Sequence, residues 1–105
     1  QMAQYAYYIV EKDPLFTPLH YPELSIFCFK YNSNSSKVSD SLLNKKIIEM
    51  IEVDGRIFLS GTKINNENVL RINCINHRRE KKDIDFLFKI LKEIGEKAKK
   101  ELEAI

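Results

Sequence analysis

Tryptophan is absent, glycine and proline occur three times each, and cysteine occurs twice in 105 residues. Each shortage excludes something. Two cysteines as far apart as Cys28 and Cys74 make neither a zinc-ligand pattern nor a disulfide framework. Both stand in apolar, strand-like runs, so both are expected to be small, buried and unreactive core residues. The few glycines form no phosphate loop and no G-x-G-x-x-G, and neither H-E-x-x-H nor a nucleophile elbow is present. No signal peptide is evident, and no apolar run approaches the ~20 residues that cross a bilayer. No membrane partner is therefore expected, and a cytoplasmic setting is. Charge is also nearly balanced, with 17 basic and 15 acidic residues and a net charge of +2, which argues against a general nucleic-acid binder.

What is present is enough for one domain, residues 1–105, with 44% hydrophobic residues to build a single modest core. Ala3 to Lys12 reads as a helix with Ala3, Ala6, Tyr7 and Val10 on one face, ended by Asp13-Pro14. Leu15 to His20 is a short extended segment. Leu24 to Tyr31 is the strongest strand, apolar almost without a break, as burial on both faces or packing under a helix demands. After the polar loop Asn32 to Ser36, Ser39 is a candidate N-cap. Leu43, Ile47, Met50 and Ile51 follow at helical spacing, and Asp54-Gly55 stops that helix. Arg56 to Ser60 reads as a strand broken by Gly61-Thr62, Asn65 to Asn68 as a turn, and Val69 to Ile75 as the next strand. A last helix from Lys81 to Leu102 buries Ile84, Leu87, Phe88, Leu91 and Ile94, with interleaved lysines and glutamates on its solvated face. Gly95 interrupts this helix, at a cost of about 1 kcal/mol relative to alanine, and the thinner apolar pattern beyond it suggests a frayed or projecting end. The order α-β-β-α-β-β-α predicts an α+β two-layer sandwich with helices on one face of a small, mostly antiparallel sheet.

One residue stands out chemically. Arg71 lies in the middle of an apolar strand, where a guanidinium is costly to bury unless it meets an anion. It is either paired with an internal acid or left facing a site, where its fork suits a carboxylate or phosphate. Asn73, two positions on, shares its strand face, as a site group or as a buried amide satisfied by backbone. His20 and His77 sit near strand ends without a marked base partner and read as structural or solvent-facing polar groups. Asp83 and Asp85 fit the start of the last helix, where negative charge is favoured. No residue of this chain is assigned a catalytic, cofactor-binding or metal-binding role.

Nearly the whole chain resembles the C-terminal small domain of the pyridoxal-phosphate-dependent group II amino-acid decarboxylases, the family of glutamate, aromatic-amino-acid and diaminobutyrate decarboxylases. Ala6 to Lys12 and Asp13-Pro14-Leu15-Phe16 look like the family's connecting helix and following strand. Pro22-Glu23-Leu24-Ser25-Ile26-Phe27-Cys28-Phe29-Lys30 looks like its "P-E-L-S-x-V-C-F-R" strand. The helix ending at Gly55 and the strand Arg56 to Ser60 follow in the expected order. Val69 to Ile72, Asn76, Asp83 to Leu87 and Ile94-Gly95 match the closing strand and helix. The chain departs from the pattern at Arg78-Arg79, where the resemblance implies that relatives often carry a threonine that looks like an N-cap, and so a weaker helix start here.

The resemblance implies a small domain of a fold-type I enzyme. Residues 1–13 would end the connecting helix and 14–105 form the α+β core. The large domain, absent from this chain, would supply pyridoxal phosphate and the lysine that holds it. It implies a decarboxylase, a lyase removing the α-carboxylate, dimeric when full-length, with the large domain and an amino-acid substrate as partners. It also implies that Arg71 matches the arginine that binds a substrate carboxylate in several members. The chain alone would then be inactive, and Gln1 entering directly into helix-like sequence suggests a fragment. The alternatives are the small domain of a fold-type I aminotransferase and a free-standing α+β binding or regulatory module.

Overall fold

The computed structural model describes residues 2–23, 25–73 and 80–104. Helix α1 (Met2–Lys12) buries Ala3, Ala6 and Val10 along one stripe and is ended by Asp13. The Asp13 carboxylate accepts the Leu15 N–H at 3.0 Å and pairs with Lys92 at 2.5 Å, so one side chain turns the chain and ties it to the last helix. Strands β1 (Phe16–Pro18) and β2 (Ile26–Tyr31) follow, then α2 (Asp40–Asp54), β3 (Ser60–Ile64), β4 (Glu67–Asn73) and α3 (Lys81–Glu103). The four strands pair antiparallel in the order β1-β2-β4-β3.

Register assigns the faces. Phe27 pairs with Ile72 and Phe29 with Leu70, so these four share one face. There they join one core with Val10 of α1, Leu43, Ile47 and Ile51 of α2, and Ile84, Leu91 and Ile94 of α3. All three helices thus cover the same side of the sheet, which is the α+β two-layer arrangement expected from the sequence. The termini of α2 are also where expected: the Ser39 hydroxyl accepts the Leu42 N–H at 3.1 Å, and Gly55 takes φ +80°.

Three expectations change. The strand placed at Arg56 to Ser60 is displaced: β3 begins at Ser60 and runs through Gly61 and Thr62, the residues read as its break. Residues 57–59 are apolar without being a strand, since Arg56 before them is drawn to Asp54 and Glu93 at 2.8 and 3.4 Å while Phe58 is 84% exposed. Gly61 lets β3 run close under α2: a Cβ there would lie 3.1 Å from the Ile48 side chain, which would have to shift slightly. Asn65 and Asn66 adopt φ of +51° and +70°, both left-handed as a two-residue type I′ hairpin requires, so β4 starts at Glu67 inside the expected turn. The expected continuation of β4 to Ile75, together with Cys74, His77 and Arg78-Arg79, lies outside the described residues, as does Leu24.

The third change concerns α3. It does not fray beyond Gly95: Ala98 is fully buried and Leu102 packs on the core. Gly95 is the contact that allows this, because a Cβ at that position would run into the ring of Tyr31, which is 2% exposed and held edge-on by Phe16 at 5.2 Å. Helix propensity alone says Gly95→Ala gains about 1 kcal/mol. Overpacking a fixed ring costs about 1–3 kcal/mol, so the net expected result is a lower melting temperature. A higher one in thermal denaturation would mean that Tyr31 yields.

Candidate functional site

The sheet face without helices carries the candidate site. Alternation along β4 puts Val69, Arg71 and Asn73 on it, opposite to Leu70 and Ile72. Register brings Ser60 of β3 and Cys28 of β2 into line with Arg71, one on each side. The result is a cross-strand row Ser60, Arg71, Cys28 in the middle of the sheet, with the arginine as its only long side chain. Ile26 lies beside Asn73 in the next row.

Arg71 is exposed and makes no ion pair among the described residues. Of the two readings open from sequence, an internal salt bridge and an outward-facing anion site, the first finds no partner among the described residues. Asn73 is likewise exposed on the same face and is not a buried amide. Cys28 is 7% exposed; burial pushes its thiol pKa up, against a smaller pull downward from the Arg71 charge. The expected burial of the Cys28 thiol is seen.

His20 is a structural residue, as read from sequence, but its duty is specific. Its Nε2 accepts the Cys28 backbone N–H at 3.2 Å, which assigns the proton to Nδ1 and makes Nδ1 the donor to the Tyr21 carbonyl at 2.8 Å. Across the row, the Ser60 hydroxyl donates to the Arg71 carbonyl at 3.3 Å. Neither Ser60 nor the brace from His20 was visible before register was known. Period-two alternation along one strand fixes its own faces but not which residues of neighbouring strands come alongside.

Asp83 serves the start of α3 as expected, accepting the Glu80 N–H at 2.8 Å. That contact is one half of a capping box between Glu80 and Asp83 at the start of the helix. Asp85 has a different role and accepts the Tyr5 hydroxyl at 2.6 Å. The two carboxylates read together from sequence stand two residues, about half a helical turn, apart and so serve as a cap and an inter-helix tie.

The described residues around Arg71 do not fit a pyridoxal phosphate site. Lys30 shares the helix-free face by alternation with Cys28, but its ammonium is tied to Asp40 at 3.1 Å. Among the described residues no second lysine stands in the rows around Arg71. What the face offers is a guanidinium on a rigid strand. A separate groove of about 650 Å³ runs between α2 and the β3 edge, lined by Ile48, Ile51, Leu59 and Gly61 under the exposed Phe58. Its lining is mostly apolar, with Glu52 as the one titratable residue among the described residues on it.

No family model matches the chain. It is 30% identical over 95 residues to a tryptophan decarboxylase of Camptotheca acuminata, covering 89% of this chain and 19% of that protein, and 27% identical to a second one from the same plant. The chain thus spans about a fifth of the curated relatives it matches. Among solved structures, Catharanthus roseus tryptophan decarboxylase in complex with L-tryptophan superposes with a TM-score of 0.82 at 20% identity, covering 92% of this chain and 20% of that one. The glutamate decarboxylase domain of a Vibrio parahaemolyticus diaminobutyrate-pyruvate transaminase and L-2,4-diaminobutyrate decarboxylase gives 0.81 at 17%, covering 91% and 20%. In fold, and in sequence over 89% of its length, the chain is similar to the C-terminal small domain of the pyridoxal-phosphate-dependent group II amino-acid decarboxylases.

Proposed function

We propose that this chain is the C-terminal small domain of a pyridoxal-phosphate-dependent amino-acid decarboxylase, that it helps to close the active site, and that Arg71 contacts a carboxylate of the substrate. The observation that carries the proposal is the position of Arg71: mid-strand, on the sheet face free of helices, exposed and without an ion pair among the described residues. A guanidinium fixed on a sheet offers two parallel N–H donors to a planar anion at little further cost in order. The cofactor, when bound, supplies the electron sink for loss of the α-carboxylate. On this reading it is held by a large domain outside the chain, in a cytoplasmic homodimer. The names of the relatives support a decarboxylase, and the sequence relatives are tryptophan decarboxylases.

The reading divides the labour, so the two parts should differ in activity. The 105-residue chain, mixed with pyridoxal phosphate and amino acids, is expected to show no Schiff-base absorbance that survives dilution and no carbon dioxide release. The same chain joined to a lysine-bearing large domain encoded upstream should show both. Activity of the isolated chain would sink the proposal, and an upstream region encoding no such domain would favour a free-standing module.

A further inference from the structure

The row across the sheet at Arg71 is held by side chains at both of its flanks. On β3, the Ser60 hydroxyl reaches the carbonyl of Arg71 itself. On the other flank, Cys28 is the cross-strand partner of Arg71, and its amide is taken by the His20 imidazole rather than by a strand residue. β1 ends at Pro18, but the Leu19 N–H still donates to the Cys28 carbonyl at 3.2 Å before the chain turns away through Tyr21-Pro22, so the imidazole takes only the Cys28 N–H, in place of a ladder carbonyl. The ring is itself fixed twice, by the Tyr21 carbonyl at 2.8 Å and edge-on against Phe27 at 5.9 Å. Ser60 is the residue at which the irregular segment 56–59 enters the edge strand, so its hydroxyl fastens that junction to the arginine.

We propose that Ser60 and His20 are positioning residues for Arg71, setting the height and direction of the guanidinium over the helix-free face. This rests on the reading of Arg71 as a substrate-carboxylate contact. Neither side chain touches the anion. Each fixes backbone on one side of a residue whose long side chain magnifies small backbone shifts at its tip. Displacements of about 1 Å at a positioning group are enough for large losses in rate or binding.

The test uses the full-length enzyme with glutamate and tryptophan as substrates, and takes as reporter whichever substrate is lost in Arg71→Met. Ser60→Ala and His20→Ala are each expected to raise KM for the reporter about 3- to 10-fold with kcat little changed. Ser60→Thr keeps a hydroxyl, and His20→Gln keeps an acceptor for the Cys28 N–H, so both should recover most of the loss. Leu102→Ala, which loosens the far end of α3, serves as the stability control and should leave KM unmoved at a comparable loss of melting temperature. An unchanged KM in Ser60→Ala and His20→Ala, with Arg71→Met still defective, overturns the positioning role and leaves the arginine contact standing. A KM rise matched by Leu102→Ala overturns it as well. An Arg71→Met enzyme normal on both substrates overturns the carboxylate contact, and this inference with it.

Discussion

Asn44→Leu is expected to lower the stability of the fold by about 2–5 kcal/mol, among the largest single-residue losses short of emptying the aromatic core. Asn44 is fully buried on α2. Its Oδ1 accepts the Tyr31 N–H at 2.9 Å, and its Nδ2 donates to the Tyr31 carbonyl at 3.1 Å and to the Asp40 carbonyl at 2.6 Å. Tyr31 is the last residue of β2 and pairs only with Phe16 of β1, because β4 meets β2 no further than Phe29. The amide therefore serves as the missing strand on that side of Tyr31. Leucine fills the volume but leaves a buried N–H and a buried C=O without partners, each costing about 1–3 kcal/mol. For a domain of this size the melting temperature should fall by roughly 10 °C or more. Thermal denaturation checks this, and a loss under about 1 kcal/mol would show that water reaches Tyr31 and replaces the amide.

That contact marks where reading the sequence stops. The spacing Leu43, Ile47, Met50, Ile51 places the apolar stripe of α2 correctly and passes over Asn44, which lies on the same side one residue from Leu43. Periodicity weighs side chains by apolarity, so a buried amide that completes a sheet edge reads as a surface residue. The same bias acted on residues 56–59. Ile57, Phe58 and Leu59 have strand composition, yet Phe58 stands in solvent and the ladder starts at Ser60, where a glycine and a threonine read as a break. Tertiary constraint decided there: Gly61 passes under Ile48, and the Asn65-Asn66 turn sets which residues pair. Helix ends were legible because their determinants are local, a hydroxyl at Ser39 and a left-handed glycine at Gly55. Gly95 was visible as an oddity but its reason was not, since Tyr31 is 64 positions away in sequence.

The candidate site divides the same way. Arg71 stands out in sequence because a mid-strand guanidinium must have an anion or an open face. Which of these holds depends on where the helices pack, and that follows from the register of β2 against β4, with Phe27 and Phe29 joining Leu70 and Ile72 under the helices and Cys28 joining Arg71 on the other side. Ser60 and His20 carried no mark of their own.

Arg71→Met in the full-length enzyme is the result on which the functional reading turns. If the substrate carries a side-chain carboxylate, as glutamate or aspartate does, the substitution is expected to raise KM strongly. Losing one charge-assisted pair in a closed site costs about 2–5 kcal/mol, which is about 30-fold or more in kcat/KM. Fold stability should barely move, because the side chain is exposed and makes no ion pair among the described residues, and surface substitutions of this kind stay within about 0.5 kcal/mol. That separation makes the experiment decisive: a structural arginine would lose melting temperature together with activity, and a substrate contact loses activity alone. With an aromatic substrate there is no second carboxylate to hold, so the loss should be smaller and should not favour acidic over aromatic amino acids. Measuring kcat/KM for both classes in wild type and Arg71→Met, with melting temperatures alongside, distinguishes the cases. An unchanged rate and unchanged preference in a folded variant would remove Arg71 from the site, leaving the helix-free face as a packing surface.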